Sequence, residues 1–249
     1  MSFDLNDLLR DWPHEPGQLK VRKILGDDGR EKIQLRIDLG VIQMEMTGRP
    51  DGVEPHECES LLDYQRSRSE REKAKEGKFT LTPDEVGDLQ AEGIQFYHRY
   101  IALFQLQDYR GVIRDTQRNL EMFDFVGEHA PSEEMAWSVE QFTPYVLMMN
   151  TRAKASMAIE REEFAEAVEL IEKGIEKVRE FYGTTGNPEL EQQSPEIQFL
   201  TEWLDEVREK RPVTKLERMQ REMDEAIRDE AYERAAELRD AITAMRAKR

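Results

Sequence analysis

The residues best suited to chemistry are the histidines and the single cysteine, because these side chains serve as bases, nucleophiles and metal ligands near neutral pH. The four histidines are far apart in the chain: His14, His56, His98 and His129. Only the run 56–59, His-Glu-Cys-Glu, places several ligand types together. A structural zinc site normally needs spaced Cys and His pairs, which this sequence lacks. We therefore expect no metal, and we interpret the run as a chance proximity.

Other kinds of catalytic site also find little support in the sequence. A nucleophilic Cys58 needs a histidine held beside it, and the sequence by itself places none there. A phosphate-binding loop needs the pattern G-x-x-x-x-G-K-[ST], which does not occur. We predict no catalytic residue and no cofactor. An enzyme that uses His56 and Cys58 is the least favoured alternative.

The composition limits the size of the core and the kind of partner. Of the 249 residues, 38% are hydrophobic and 36% are charged, which favours thin, helix-rich layers in one elongated domain or two small ones. The formal net charge is −17. A sequence-independent grip on phosphates depends on clustered Lys and Arg, so we expect no direct binding of nucleic acid.

The N-terminus and the cysteine content bear on location. A single cysteine excludes an intrachain disulfide framework. The opening MSFDLNDLLRDW lacks the basic flank and the apolar run of a secretory signal, and no stretch approaches membrane-spanning length. We expect a cytoplasmic protein without a membrane partner.

The only clear β signal lies near the N-terminus. Residues 19–25 and 33–46 predict a β-hairpin around the tight turn at 27–29, Asp-Asp-Gly. The apolar residues of the second strand change face beside Gly40, which suggests a bulge or bend. Residues 42–46 then have no partner in the hairpin. Either a second copy of the chain pairs with them in a homodimer, or the ribbon is a flap on its own helices.

The segment 57–81 is charged and lacks apolar periodicity in its central part, residues 64–78. This composition favours a solvated helix end or a linker. A basic patch for nucleic acid is the alternative, but interleaved glutamates dilute it: Glu70, Glu72 and Glu76.

The segment 82–211 is predicted to be wholly helical. Residues 82–85, Thr-Pro-Asp-Glu, have the pattern of a capping box with proline at the first helical position, and 194–196, Ser-Pro-Glu, open another helix in the same way. We predict five helices, over 83–107, 109–126, 133–160, 162–182 and 195–210.

Two stretches of this segment, 102–123 and 155–178, share a pattern: a small residue, a helix end, an acidic residue beside an aromatic one, and an amphipathic second helix. The pattern resembles tetratricopeptide repeats, which are stacked helical hairpins. The second copy matches better, through Phe164, Ala167, Ile171 and Gly174. Because Tyr109 and Phe164 are fifty-five positions apart, the helix over 133–160 must be unusually long.

This resemblance implies a concave groove that binds peptides. Matching the repeat positions nominates six residues for it: Tyr97, Ile101, Phe104, Met149, Arg152 and Ser156. The simpler interpretation is that these side chains belong to the core.

The tail from 215 to 248 has two apolar stripes at helical spacing and predicts an antiparallel helical hairpin. Two helices of this size bury too little apolar surface to be stable alone, so one side must lie against something else. The tail from 215 to 249 holds nine basic and nine acidic residues, so its charge does not favour DNA.

Within this tail the run YERAAELRDAI, residues 232–242, closely resembles the UVR motif. That hairpin occurs in the B and C subunits of the bacterial excision-repair nuclease, in the activator of protein-arginine kinase and in Clp-type ATPases. The resemblance implies docking on a protein, including another protein that bears the motif. The residues expected to bind the partner are Met219, Met223, Tyr232, Ala235, Ala236, Leu238, Arg239 and Ile242.

The sequence as a whole predicts a mainly α protein of four parts. These are a β-ribbon over 1–56, a charged linker or helix over 57–81, a tetratricopeptide-like helical array over 82–211, and a helical hairpin over 212–249. We expect a bacterial, non-enzymatic adaptor or scaffold. The alternatives are an accessory factor of nucleotide-excision repair and a regulator of a Clp-type protease or arginine-kinase system.

Overall fold

The computed structural model describes residues 5–185, 188–210, 215–229 and 231–246. The mainly α fold class is confirmed, with a three-stranded antiparallel sheet near the N-terminus, a helical array, and a helix pair at the C-terminus. The chain forms two compact units, Met1–Asp205 and Glu206–Arg249, which we call the body and the tail unit.

The strands are β1 (Lys20–Leu25), β2 (Glu31–Ile37) and β3 (Gly40–Glu45). The helices are α1 (Asn6–Leu9), α2 (Leu61–Glu76), α3 (Pro83–Gln105), α4 (Tyr109–His129), α5 (Glu133–Glu140), α6 (Thr143–Glu160), α7 (Phe164–Thr184), α8 (Pro188–Gln192), α9 (Pro195–Lys210), α10 (Lys215–Arg228) and α11 (Tyr232–Arg246).

The sheet has one strand more than the sequence predicted. The first turn is as expected, with Gly29 at a φ of +75°. The single long second strand is wrong, because residues 38–39 form a tight turn and β3 folds back on β2. Ile33 pairs with Met44, and Leu35 with Ile42. The apparent change of face beside Gly40 was therefore a reversal of the chain.

This third strand removes the reason to expect a dimer at the ribbon. Residues 42–45 pair with β2 of their own chain. The loop that follows is held by the helices: Arg99 of α3 donates to the carbonyl oxygens of Glu45 at 3.1 Å and Gly48 at 2.8 Å, and Arg114 of α4 donates to that of Met46 at 3.0 Å. The ribbon is a flap fastened to its own helices.

The charged segment 57–81 contains a packed helix, α2. The Ser60 side chain accepts from the Asp63 amide at 3.2 Å and begins the helix, and Gly77 ends it at a φ of +72°. Leu62, Gln65 and Ser69 are buried along one side. Helix α2 is therefore part of the body although its sequence looks solvated.

The main apolar core lies among α2, α3, α4, α5 and α6. The capping box predicted at Thr82 and Glu85 is confirmed at the start of α3. The segment before α3 is fixed by a bond of 2.8 Å from the Leu81 amide to the His129 carbonyl. The buried core residues are Leu62, Phe79, Leu81, Val86, Leu89, Met122, Phe123, Phe125, Val126, Val139 and Val146.

The two helical hairpins α3–α4 and α6–α7 turn in the same way. Gln107 and Glu162 adopt left-handed backbone conformations, with φ of 59° and 61°. The amides that follow each bond a carbonyl at 2.9 Å, Asp108 to Leu103 and Glu163 to Ala158. The repeated turn explains the internal similarity of the two stretches.

The long helix predicted over 133–160 is wrong. Helix α5 ends at Glu140, and α6 starts at Thr143 after a turn at Gln141 and Phe142. Pro144 lies in the first turn of α6, where its missing amide hydrogen costs nothing. An extra short helix, instead of one long helix, accounts for the spacing between the two hairpins.

Buried ion pairs connect the loop after β3 with α3 and α4. Arg99 donates to both carboxylate oxygens of Asp115, at 2.6 and 2.8 Å, and both side chains are almost wholly buried. The buried Glu92 carboxylate pairs with Arg49, at 3.3 Å, and with Arg118. Burial lowers the pKa of Arg118 to about 9. These five side chains span three separate segments of the chain.

Candidate functional site

The predicted chemical cluster at 56–59 lies in a loop that precedes α2. The His56 ring stacks on Tyr64 with 3.9 Å between centroids, and the Cys58 thiol donates to the His56 carbonyl at 3.6 Å. Throughout the part of the chain that the structure describes, no group of three or more His, Cys, Asp or Glu residues is placed to hold a metal ion. The His56 ring therefore contacts Tyr64, and the Cys58 thiol contacts the backbone of His56 and not its ring.

Three of the six nominated groove residues meet at Arg152. The guanidinium carbon of Arg152 lies 4.4 Å from the centroid of Phe104, and an Nη atom lies 3.5 Å from the Met149 sulfur. Phe199 of α9 approaches the same guanidinium at 4.7 Å. Burial lowers the pKa of Arg152. Phe199 of α9 and Phe104 of α3 thus both lie against the guanidinium of Arg152.

The other three groove residues do not join this cluster. Ile101 and Ser156 are half-buried on α3 and α6. Tyr97 instead belongs to a group of tyrosines, 5.5 Å from the ring of Tyr100 and 6.2 Å from that of Tyr145. This group lines an apolar cleft of about 440 Å³ between α3, α4, α5 and α6.

The sequence did not reveal this cleft. Tyr97 and Tyr100 share one face of α3 by their spacing, which is a weak signal for an aromatic wall. Tyr145 comes from α6, and its arrival at the same place depends on the unforeseen break before that helix.

The tail unit contains an antiparallel pair of helices, α10 and α11. The connection is tight: the Ala231 amide donates to the Ala226 carbonyl at 2.8 Å. Of the residues expected to bind a partner, three are buried in this unit: Ala235, Leu238 and Ile242. They hold the hairpin together.

The remaining tail residues are more exposed than these three. Met219, Met223 and Ala236 are half-buried, and Arg239 is exposed and pairs with Asp240 at 2.8 Å. Tyr232, at the start of α11, has 67% of its surface exposed, and Ile227, near the end of α10, has 49%. Tyr232 and Ile227 are thus exposed apolar side chains near the connected ends of the two helices.

Comparison with known proteins supports the interpretation of the tail. Residues 214–248 match the family model described as the UvrB/uvrC motif. Within this stretch, 214, 230, 247 and 248 lie outside the described residues. UVR motifs mediate protein–protein interactions, and the match suggests a role of that kind or one related to DNA repair. No curated protein and no solved structure matches the chain. In the described ranges, no helix is long and apolar enough to cross a membrane.

Proposed function

We propose that this protein is a non-enzymatic adaptor, in which the hairpin α10–α11 docks on a protein partner and the body binds a second one. The observation that carries the proposal is the UVR match over a segment that belongs to a compact unit of its own. Joining two partners raises their effective concentration for each other.

The division of apolar residues in the tail fits this role. Ala235, Leu238 and Ile242 are used to fold the hairpin, whereas Tyr232 and Ile227 remain exposed. Exposed aromatic residues are frequent anchors of protein interfaces, because a rigid ring buries a large area at little entropic cost. Tyr232 is therefore our principal contact residue.

The partner is expected to present an apolar surface to the hairpin. The charges of the tail balance, so electrostatic attraction contributes little. A second protein with a UVR hairpin suits this chemistry, as does a Clp-type ATPase or an arginine kinase. A role as accessory factor of nucleotide-excision repair is favoured by the family to which the motif model belongs.

Capture of partners from host lysate tests the proposal. Three forms are compared by mass spectrometry: the full chain, a form ending at Val213, and Tyr232→Asp. The control is Thr243→Asp, which adds the same charge to an exposed polar position of α11. We expect truncation and Tyr232→Asp to lose the same proteins, and the control to retain them.

The identity of the lost proteins selects the pathway. Loss of repair-nuclease subunits supports the repair role, and loss of a Clp-type ATPase or kinase supports control of proteolysis. Identical lists from all forms would show that the tail is structural and would refute the adaptor.

A further inference from the structure

The apolar cleft in the body has the dimensions of a binding site for a small molecule. Its volume is about 440 Å³, whereas ligand sites are generally about 300–1,000 Å³. The residues that line it are Gln90, Gly93, Ile94, Tyr97, His98, Tyr100, Asn119, Met122, Phe123, Val139, Phe142, Tyr145 and Val146.

The lining restricts the charge of a ligand. Of the described residues around the cleft, none is an Asp, Glu, Lys or Arg. Burial lowers the pKa of His98, which favours the neutral form of its ring. A charged ligand would lose its hydration without gaining a counter-ion, which is costly. The cleft therefore selects an uncharged molecule.

Tyrosine hydroxyl groups supply the polar contacts. Tyr100, which is 1% exposed, lines the cleft together with Tyr97 and Tyr145. Burial, followed by the proximity of Tyr145 and Tyr97, raises the pKa of Tyr100, and burial likewise raises that of Tyr145. Both hydroxyls therefore keep their protons. A protonated tyrosine hydroxyl can donate a hydrogen bond to a ligand and accept one from it.

The mouth of the cleft is also apolar. Ile94 on α3 is 51% exposed, and Phe142, in the turn between α5 and α6, is 48% exposed. Exposed apolar side chains beside a cleft extend the apolar surface that a ligand can bury.

We infer that this cleft binds an uncharged small molecule with an aromatic or alkyl body and a polar group that hydrogen-bonds the hydroxyl of Tyr100. The volume exceeds what one amino-acid side chain fills, which favours a small molecule over a single anchor residue of a peptide. The adaptor would then carry a ligand site in its body in addition to its docking hairpin.

A pair of fluorescent probes tests the inference on the full chain. N-phenylnaphthylamine is neutral and carries one N–H group, and anilinonaphthalene sulfonate has the same rings with a negative charge. We expect saturable binding of the neutral probe to a single site per chain. The sulfonate should bind about tenfold more weakly, because no cation of the cleft meets it.

Two substitutions locate the site. Ile94→Asp places a charge at the exposed mouth and should weaken the neutral probe about tenfold, whereas Val53→Asp, at a similarly exposed apolar residue outside the cleft, should not. Tyr100→Phe removes one hydroxyl and should weaken binding about three to ten times, whereas Tyr109→Phe, outside the cleft, should not.

Three results would overturn the inference. The first is an absence of saturable binding of the neutral probe, and the second is equal binding of the sulfonate. The third is a captured protein that Ile94→Asp loses and Val53→Asp retains, since the occupant would then be a side chain of that protein. Circular dichroism of each variant confirms that the fold is retained.

Discussion

The body and the tail unit are both rich in charged residues, but they use them differently. In the body, Arg99 and Asp115 are buried and join α3 to α4, and Arg99 also holds the loop after β3. In the tail, the ion pairs Arg234–Glu237 and Arg239–Asp240 are exposed and join neighbours in one helix. In the body, ion pairs connect segments that are distant in sequence. In the tail, the charged side chains lie mainly on the surface.

The energetic consequences differ accordingly. Removing one partner of a buried pair costs about 3–5 kcal/mol, because the other charge is left without compensation. An exposed pair contributes about 0–1 kcal/mol. The tail must rely on a few apolar side chains, which explains why a partner would matter more to it.

The strongest test of this contrast is Asp115→Ala. We expect the free energy of unfolding of the body to fall by about 3–5 kcal/mol, because Arg99 stays buried without its carboxylate. Urea denaturation followed by circular dichroism measures it. Asp88→Ala, at an exposed position of α3, is the control and should change little. Equal small effects would mean that Arg99 reaches water and that the pair is not a lock.

A second substitution, Leu238→Asp, addresses the tail. A charge in place of a buried leucine should destabilise the hairpin by about 2–5 kcal/mol while the body keeps its stability. Hydrogen exchange measured by mass spectrometry should show lost protection over 215–246 and unchanged protection over 83–184. Tyr232→Asp is the control, and its protection should match that of the wild type. Lost protection in the body as well would show that the two units are one cooperative core.

Two glycines of the body differ in the space around them, and α6 and α7 are in close contact at one of them. A Cβ at Gly174 would lie 2.9 Å from the Cβ of Thr151 and closer to the rest of that side chain. Gly174→Ala should therefore destabilise the body by about 1–3 kcal/mol. Gly87→Ala, in α3 with open space around it, should stabilise it by up to about 1 kcal/mol. A thermal melt of both variants decides the matter, and opposite signs are the expected result.

The smallest expected change in stability concerns the ion pair between Arg68 and Glu85, which is partly buried and so lies between the buried pairs of the body and the exposed pairs of the tail. The hydrogen bond from Arg68 lowers the pKa of Glu85 from 4.5 to about 2. Because the folded-state pKa is depressed, the pair stabilises the fold fully above pH 4.5 and loses this effect as the pH falls through about 2. Glu85→Gln should cost about 1 kcal/mol at pH 7.

Unfolding of wild type and Glu85→Gln between pH 2 and 7 checks this prediction. The difference between the two proteins should shrink as the pH falls. Glu134→Gln, at an exposed glutamate of α5, should differ little from wild type throughout. A gap that stays constant with pH would show that Glu85 acts through packing or capping and not through its charge.

Local signals in the sequence were the reliable ones. The capping box at Thr82, the turn at Gly29 and the hairpin at 215–246 each depend on residues close in sequence, and the structure has all three. The break before α6 was missed although Pro144 carries the signal for a helix start. The repeat spacing suggested one long helix instead, and that argument outweighed the proline.

Contacts between distant segments could not be predicted in the same way. Arg99 and Asp115 are charged residues of the kind that usually lies on the solvated face of a helix. Only the packing of α3 on α4 reveals that they are buried together. The segment 57–81 was predicted as a charged linker or helix, and the packing of α2 was missed for a similar reason, since polar Gln65 and Ser69 occupy its buried side. The tyrosine cleft likewise depends on where α6 begins.

The hydrogen bonds from Arg99 to the carbonyl oxygens of Glu45 and Gly48 bear on whether the N-terminal ribbon can be removed from the protein. A ribbon of three strands near the N-terminus looks like a module that could be shed or exchanged. Without residues 1–56, Arg99 would lose two carbonyl acceptors and Glu92 would lose Arg49. Arg99 would keep Asp115 and Glu92 would keep Arg118, but each would have fewer polar partners than it has now. The ribbon and the array therefore depend on each other within one compact unit, whereas the hairpin belongs to the other unit.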